Sequence, residues 1–359
     1  MTTARQPKFK IRYEGKDITA DLSEYLISVD YIDKARGESD ELQIVLADPD
    51  GLWRNEWWPT KGDKLNLDFG YDDAITDAGT FTIDEIEVNG PPDVVYIKGV
   101  ASWITTAMRT HESKAYEGQT LKQIAEAVAK KHNLQLVGRI LTLRIARSTQ
   151  NRESDLEYLK RLADEFGYQF SIKGDKLVFE SIFEIEKGLP VVTLDREDLM
   201  SYSLRDKALQ TYKQAKVKYH DPKEKKVVEA SVTDVENAGG ESFNEKTAAD
   251  TLEIRTKTED KAQAEQKAKV ALYRSRSNQV EGSLSLTGNP FLVAGNNFEL
   301  TNMGQLSGRY HIMESHHSIT KGSGYTTSLQ VKRVGYVVKE KIKKKRRTKP
   351  PKYKVTVIQ

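Results

Sequence analysis

Cysteine is absent from the 359 residues. Its absence excludes disulfides, cysteine-bearing zinc sites and a thiol nucleophile. It is compatible with assembly in a reducing cytoplasm. Long apolar runs are absent as well, and a membrane helix needs roughly 18 consecutive apolar residues. The stretch from Met1 to Gly15 has no apolar core of the secretory kind. Neither a secretory signal nor membrane anchoring is therefore expected. The sequence has no Gly-x-Ser-x-Gly elbow and no glycine-rich phosphate loop ending in Gly-Lys-Ser or Gly-Lys-Thr.

What is present is polar. Hydrophobic residues make up 38%, charged residues 30%, and the mean hydropathy is -0.62, a globular composition on the polar side. At roughly 150 residues per domain, the length suggests two or three domains. The formal net charge of +3 conceals an asymmetry. From Val331 to Gln359 there are 12 Lys or Arg and one acid, Glu340, which leaves -8 for the other 330 residues. A mildly acidic body thus ends in a strongly basic tail.

The first hundred residues alternate. Ile27, Val29 and Tyr31 alternate with polar neighbours, as do Leu42, Ile44 and Leu46, Leu65 to Phe69, and Phe81 to Ile86. A period of two predicts one buried and one wet face, hence an antiparallel sheet or barrel. The middle changes character. Thr120 to Gln123 and Ser154 to Glu157 are capping boxes, each followed by an apolar helical stripe. Gly167 can close the second helix in a left-handed conformation, and a hairpin over Tyr168 to Phe179 follows. Strand alternation then returns, interrupted by a helix over 258–275 whose Ala-rich face suits flat packing on a sheet. The expected class is mainly β with an α+β insert: two similar antiparallel β-barrel domains separated by a small α+β domain. The expected boundaries are 1–106 for the first barrel, 107–186 for the insert, 187–334 for the second barrel and 335–359 for the basic tail.

The two β regions share a pattern. Gly62-Asp-Lys-Leu65 and then Gly79-Thr-Phe81 match Gly295-Asn-Asn-Phe298 and then Gly308-Arg-Tyr310. The Gly-to-Gly separations are 17 and 13, so only the intervening loop differs.

At these residues the chain resembles the phage late control D, or tail hub, family, and the hub portion of type VI secretion spike proteins. The segments that carry the likeness are Phe69 to Asp73 through Gly79 to Ile86, Gly90 to Asp93 with Ile97 to Gly99, and Tyr116 to Leu121. Glu153 to Gly167 follows. The last are Gly288 to Pro290 with Ala294-Gly295, Gly308 to His316, and Gly324 to Leu329. The resemblance covers roughly residues 8 to 335 and implies a structural, non-enzymatic homotrimer at the centre of a baseplate. It implies tail tube, central spike, baseplate and tape measure proteins as partners, and a place in the virion tail or a phage-like contractile particle assembled in the host cytoplasm. No β-helical needle follows the hub region, so the spike is expected as a separate chain. No cofactor is implied.

A few other residues offer candidate chemistry. His311, Glu314, His316 and His317 fit neither order of a helical zinc motif, and alternation would put His311 and His317 on one strand face. Asp72-Asp73, Glu85 with Glu87, and Glu197-Asp198 are acid pairs of the type a cell-wall hydrolase needs, though without a recognisable cleft. Trp53, Trp57 and Trp58 are candidates for core or subunit interface. Lys341, Lys343, Lys344, Lys345, Arg346, Arg347 and Lys349 are candidates for contact with an acidic partner. They would also suit a nucleic-acid-binding module working by charge density alone. Tyr353 lies in a terminal run of strand character able to augment a neighbour's sheet.

Overall fold

The computed structural model describes residues 6–35, 38–71, 74–101, 106–185, 187–207, 212–221, 226–233, 249–256, 258–277 and 279–334. Asp72 and Asp73, Tyr353 and the basic residues from Lys341 to Lys349 lie outside the described residues.

The first β region comprises β1 (Pro7–Tyr13), β2 (Lys16–Asp17), α1 (Thr19–Tyr25), β3 (Leu26–Lys34), β4 (Glu41–Ala47), β5 (Lys64–Tyr71), β6 (Ala74–Asn89) and β7 (Val94–Ala101). The insert comprises α2 (Thr106–Arg109), β8 (Glu112–Thr120), α3 (Leu121–Lys131), β9 (Gln135–Val137), β10 (Arg144–Glu153), α4 (Asp155–Phe166), β11 (Tyr168–Lys173), β12 (Lys176–Ser181) and α5 (Ile182–Ile185). Then come β13 (Pro190–Asp195), β14 (Leu199–Asp206), β15 (Tyr212–Asp221), β16 (Lys226–Thr233), β17 (Ala249–Arg255) and α6 (Lys261–Ser277). Last are β18 (Val280–Thr287), β19 (Asn297–Thr301), β20 (Gly308–Thr320) and β21 (Gly324–Arg333).

The class is mainly β with an α+β insert, as the alternation implied. The two β regions, expected as separate barrels, are hydrogen-bonded into one sheet. Its order is β14-β18-β21-β20-β3-β4-β7-β6-β5-β1-β2, with β19 on β20 and β13 on β19. The link is β20. Its first residues pair with β19, and from Glu314 opposite Lys34 to Thr320 opposite Ser28 it pairs with β3. At about 3.3 Å per residue, a strand of 13 residues is long enough to serve both halves. Each half still wraps its own core. Ile11, Leu22, Leu46, Leu67 and Phe81 pack in the first, and Leu284, Phe298, Leu300, Tyr310 and Ile312 in the second.

The alternation fails at one point. Ile27 is exposed and Leu26 is buried, because the β3–β4 register shifts between Leu26 and Ser28. A bulge inserts one residue and swaps the faces beyond it.

In the insert both capping boxes form. Gln123 N–H donates to Thr120 Oγ1 at 3.2 Å and Thr120 N–H donates to Gln123 Oε1 at 2.8 Å. Ser154 and Glu157 repeat those two distances. Gly167 takes φ 77°, the left-handed cap. Leu121, Ile124, Tyr158, Leu162, Phe166 and Phe179 fill the insert's core. α6 begins at Lys261, three residues later than expected. It lays Ala264, Ala268 and Leu272 on Ala215 and Val217 of β15, and its Gln266 Nε2 donates to Phe166 O at 2.8 Å. The layer β15–β17 with α6 therefore leans on the insert.

Candidate interface site

The repeat read from glycine spacing is present in the hydrogen bonds. Gly62 N–H donates to Ile83 O, and Ile83 N–H donates to Asp63 O, both at 2.9 Å. Gly295 N–H donates to Ile312 O, and Ile312 N–H donates to Asn296 O, also both at 2.9 Å. Leu65 faces Phe81 as Phe298 faces Tyr310, and Leu67 faces Gly79 as Leu300 faces Gly308. β6 shifts register between Ile83 and Glu85, and β20 shifts between Ile312 and Glu314. One strand further on, Leu42 faces Gly99 as Gly282 faces Val331. One further still, Tyr31 faces Leu42 as Leu204 faces Gly282. Even the ion pair Lys34–Glu41, at 2.7 Å, has its counterpart in Lys207–Glu281. So β3, β4, β5, β6 and β7 correspond to β14, β18, β19, β20 and β21.

The two halves and the insert meet at Asp33. Lys173 Nζ, at the end of β11, donates to Asp33, and to Asp40 Oδ2 at 2.7 Å. Ala294 N–H donates to Asp33 Oδ2 at 2.9 Å. Gln169 Nε2 donates to Ala35 O at 2.7 Å. Both acids are buried. Burial first, and the neighbouring Asp33 charge next, push the Asp40 carboxyl up to about 6 against the pull of Lys173. Sequence reasoning passed over Asp33. The signal was there, because Val29, Tyr31 and Asp33 share one phase of β3. A charged residue in the buried phase needs a partner.

The histidines do not converge. The bulge after Ile312 reverses the expected faces. His311 stands opposite Asn297 with Nδ1 2.8 Å from Asn297 Oδ1, while His317 lies beyond the bulge in the first core. His317 packs 4.9 Å from the Phe69 ring and shares a hydrogen bond of 2.8 Å with the Tyr325 hydroxyl. Burial lowers its pKa to about 3, so the ring is neutral. His316 pairs outward with Asp30 at 3.0 Å.

The acid pairs that are described are exposed, and Glu85, Glu87 and Asp198 are engaged. Glu85 and Glu87 both reach Lys98, at 3.2 and 3.4 Å. Asp198 Oδ2 accepts from Asp195 N–H in a tight turn beside Glu197. A cavity of about 940 Å³ separates the insert from the β15 layer. Its carboxylates are occupied too: Glu165 by Lys267 at 2.6 Å, Glu253 by Lys218 at 3.6 Å, and Glu259 by the Ala146 N–H. The tryptophans divide. Trp53 is buried, with its backbone N–H donating to Asp48 Oδ1 at 3.0 Å, whereas Trp57 and Trp58 are exposed. Trp53 and Trp57 meet edge to face at 5.2 Å.

A family described as phage tail baseplate hub (GPD) matches residues 82–323, more than half of the chain. The chain belongs to that hub family. A probable baseplate hub protein of Escherichia phage 186 is 30% identical over 203 residues, covering 55% of this chain and 51% of that protein. The match thus spans about half the length of that relative. In fold, the chain is similar to the 43 kDa tail protein of prophage MuSo2 from Shewanella oneidensis. The TM-score is 0.67 at 15% identity, covering 91% of this chain and 98% of the other. It is also similar to a type VI secretion component of E. coli, with TM-score 0.54 and 12% identity over 92% of this chain and 77% of that one.

For a hub-family chain, the informative surface is where apolar residues face outward. Met200 and Tyr202 on β14 are 66% and 45% exposed, and Leu189 just before β13 is 84% exposed. β14 ends the sheet. Among the described residues no strand pairs with its outer side, nor with β6 beyond Thr82 on the side that carries β5.

Proposed function

We propose that the chain is a structural baseplate hub of a phage tail or phage-like injection particle. In this reading it forms a homotrimer that adapts a sixfold tail tube to a threefold central spike. The observation that carries it is the repeat. One chain holds two strand sets with the same register, the same bulge and the same ion pair, so three chains offer six equivalent units. The family membership supports the structural role, and carboxylates already engaged by lysines and backbone amides fit it better than a cell-wall hydrolase does. The acidic body suits a channel for DNA, because like charge repels phosphate and discourages sticking. Trp57 and Trp58 are proposed as interface residues. The basic cluster from Lys341 to Lys349 is proposed to dock on an acidic partner surface.

Native mass spectrometry of the full chain tests the trimer. The expected species is three times the 40.7 kDa chain. A protein that stays monomeric, alone and beside its spike, overturns the reading. Deletion of residues 336 to 359 is expected to leave the trimer intact and to weaken partner capture. Loss of the trimer would assign the tail to the ring itself.

A further inference from the structure

The correspondence between halves leaves two strand edges unmatched. Inside the chain, β20 beyond its bulge takes β3 as its partner. The counterpart of β20 is β6, and the counterpart of β3 is β14. Both counterparts have their edges open among the described residues. Exposure records the difference. His317 is 1% exposed and its counterpart Val88 is 39% exposed. Val29 is 2% exposed and its counterpart Tyr202 is 45% exposed. Side chains that are core in the paired joint are surface in the unpaired one.

We infer that a second copy of this chain adds its β14 to the edge of β6, in an antiparallel ladder from Glu85 opposite Lys207 to Asn89 opposite Ser203. This register is the β20–β3 register carried across the repeat, with Glu314 opposite Lys34 becoming Glu85 opposite Lys207. The chemistry fits that alignment. Glu85 meets Lys207, Glu87 meets Arg205, and Val88 meets Leu204 on the opposite, inward face. Opposite charges across a ladder stabilise it, and apolar pairs add to that. A slip of one residue would set Glu85 against Asp206 and Glu87 against Leu204. It would also turn every side chain to the wrong face. The ladder stops at Asn89 because Pro91 and Pro92 follow and have no N–H to donate. The copy number rests on the trimer reading above, while the ladder rests on the repeat alone.

The cysteine-free chain gives a clean test. Oxidised Val88→Cys/Leu204→Cys protein is expected to run on a non-reducing gel as linked species ending at trimer. Val88→Cys/Arg205→Cys, one residue out of register, places the two side chains on opposite faces and should link roughly tenfold less. Glu87→Lys should reduce the assembled fraction several-fold, and adding Arg205→Glu should restore it. A native trimer that gives no Val88–Leu204 link overturns the ladder and leaves the trimer standing. Efficient linking in a ring of another size keeps the ladder and overturns the trimer. A wild-type monomer, alone and with its spike, overturns both.

Discussion

Lys173 of the insert holds Asp40 of the first β region at 2.7 Å and bonds Asp33 with the same ammonium. Replacement of Lys173 by Met removes the only cation that these hydrogen bonds bring to two buried carboxylates. Stripping one side of such a pair costs about 3 kcal/mol or more. Chemical denaturation should show that loss. Asp40→Asn in the Lys173→Met background should recover part of it, because one buried charge is then gone.

Asp40 also sets a pH dependence. Its folded pKa, about 6, lies above the ordinary carboxylate value of 3.8. A raised folded pKa means that the native state binds the extra proton between those values. The carboxyl's contribution to stability is thus present below about pH 4 and is lost as pH rises toward 6. Compared with the wild type, Asp40→Asn should be flatter over that window in denaturation midpoints taken at stepped pH.

His317 works with the opposite sign. Tyr31, Phe69 and Tyr325 surround its ring, and burial holds it neutral down to about pH 3 against an ordinary value of 6.5. The unfolded chain takes up the proton first on acidification, so stability falls as pH drops below 6.5. The loss should reach about 3 kcal/mol by pH 4. His317→Gln should begin less stable at pH 7 and lose less on acidification.

Gly282 stands opposite Leu204 where β18 pairs with β14. A Cβ there would stand 1.9 Å from Ser203 O. Gly282→Ala must therefore push β14 off its neighbour. Hydrogen exchange over residues 199–206 is expected to quicken roughly tenfold or more in the variant. Assembly should weaken with it, because β14 is the edge proposed to meet the next copy.

Much of this was legible from local chemistry. The capping boxes at Thr120 and Ser154 name their own partners three residues away, and Gly167 needs only its own dihedral. The repeat showed in Gly62, Gly79, Gly295 and Gly308 because turns restrict residue choice. What stayed hidden was long-range or out of phase. The pairing of His317 with Tyr31 joins residues 286 positions apart, and no local pattern encodes such a distance. The bulges after Leu26 and Ile312 reverse the faces on which alternation depends. Such reversals made Ile27 look buried and placed His311 beside His317. The family likeness was readable only because it lay in the order of many weak segments.

The strand that joins the halves also bears on how copies add up. In the proposed ladder the two mating edges, on β6 and β14, are different surfaces, so the contact is head-to-tail. Such contacts make closed rings or open filaments, depending on the rotation each one imposes. Here that rotation is already built into a single chain, at the joint where β20 passes from β19 to β3. A fixed covalent connection thus serves as the angular standard for the loose ones, and an error at that joint would be copied into every contact of the assembly.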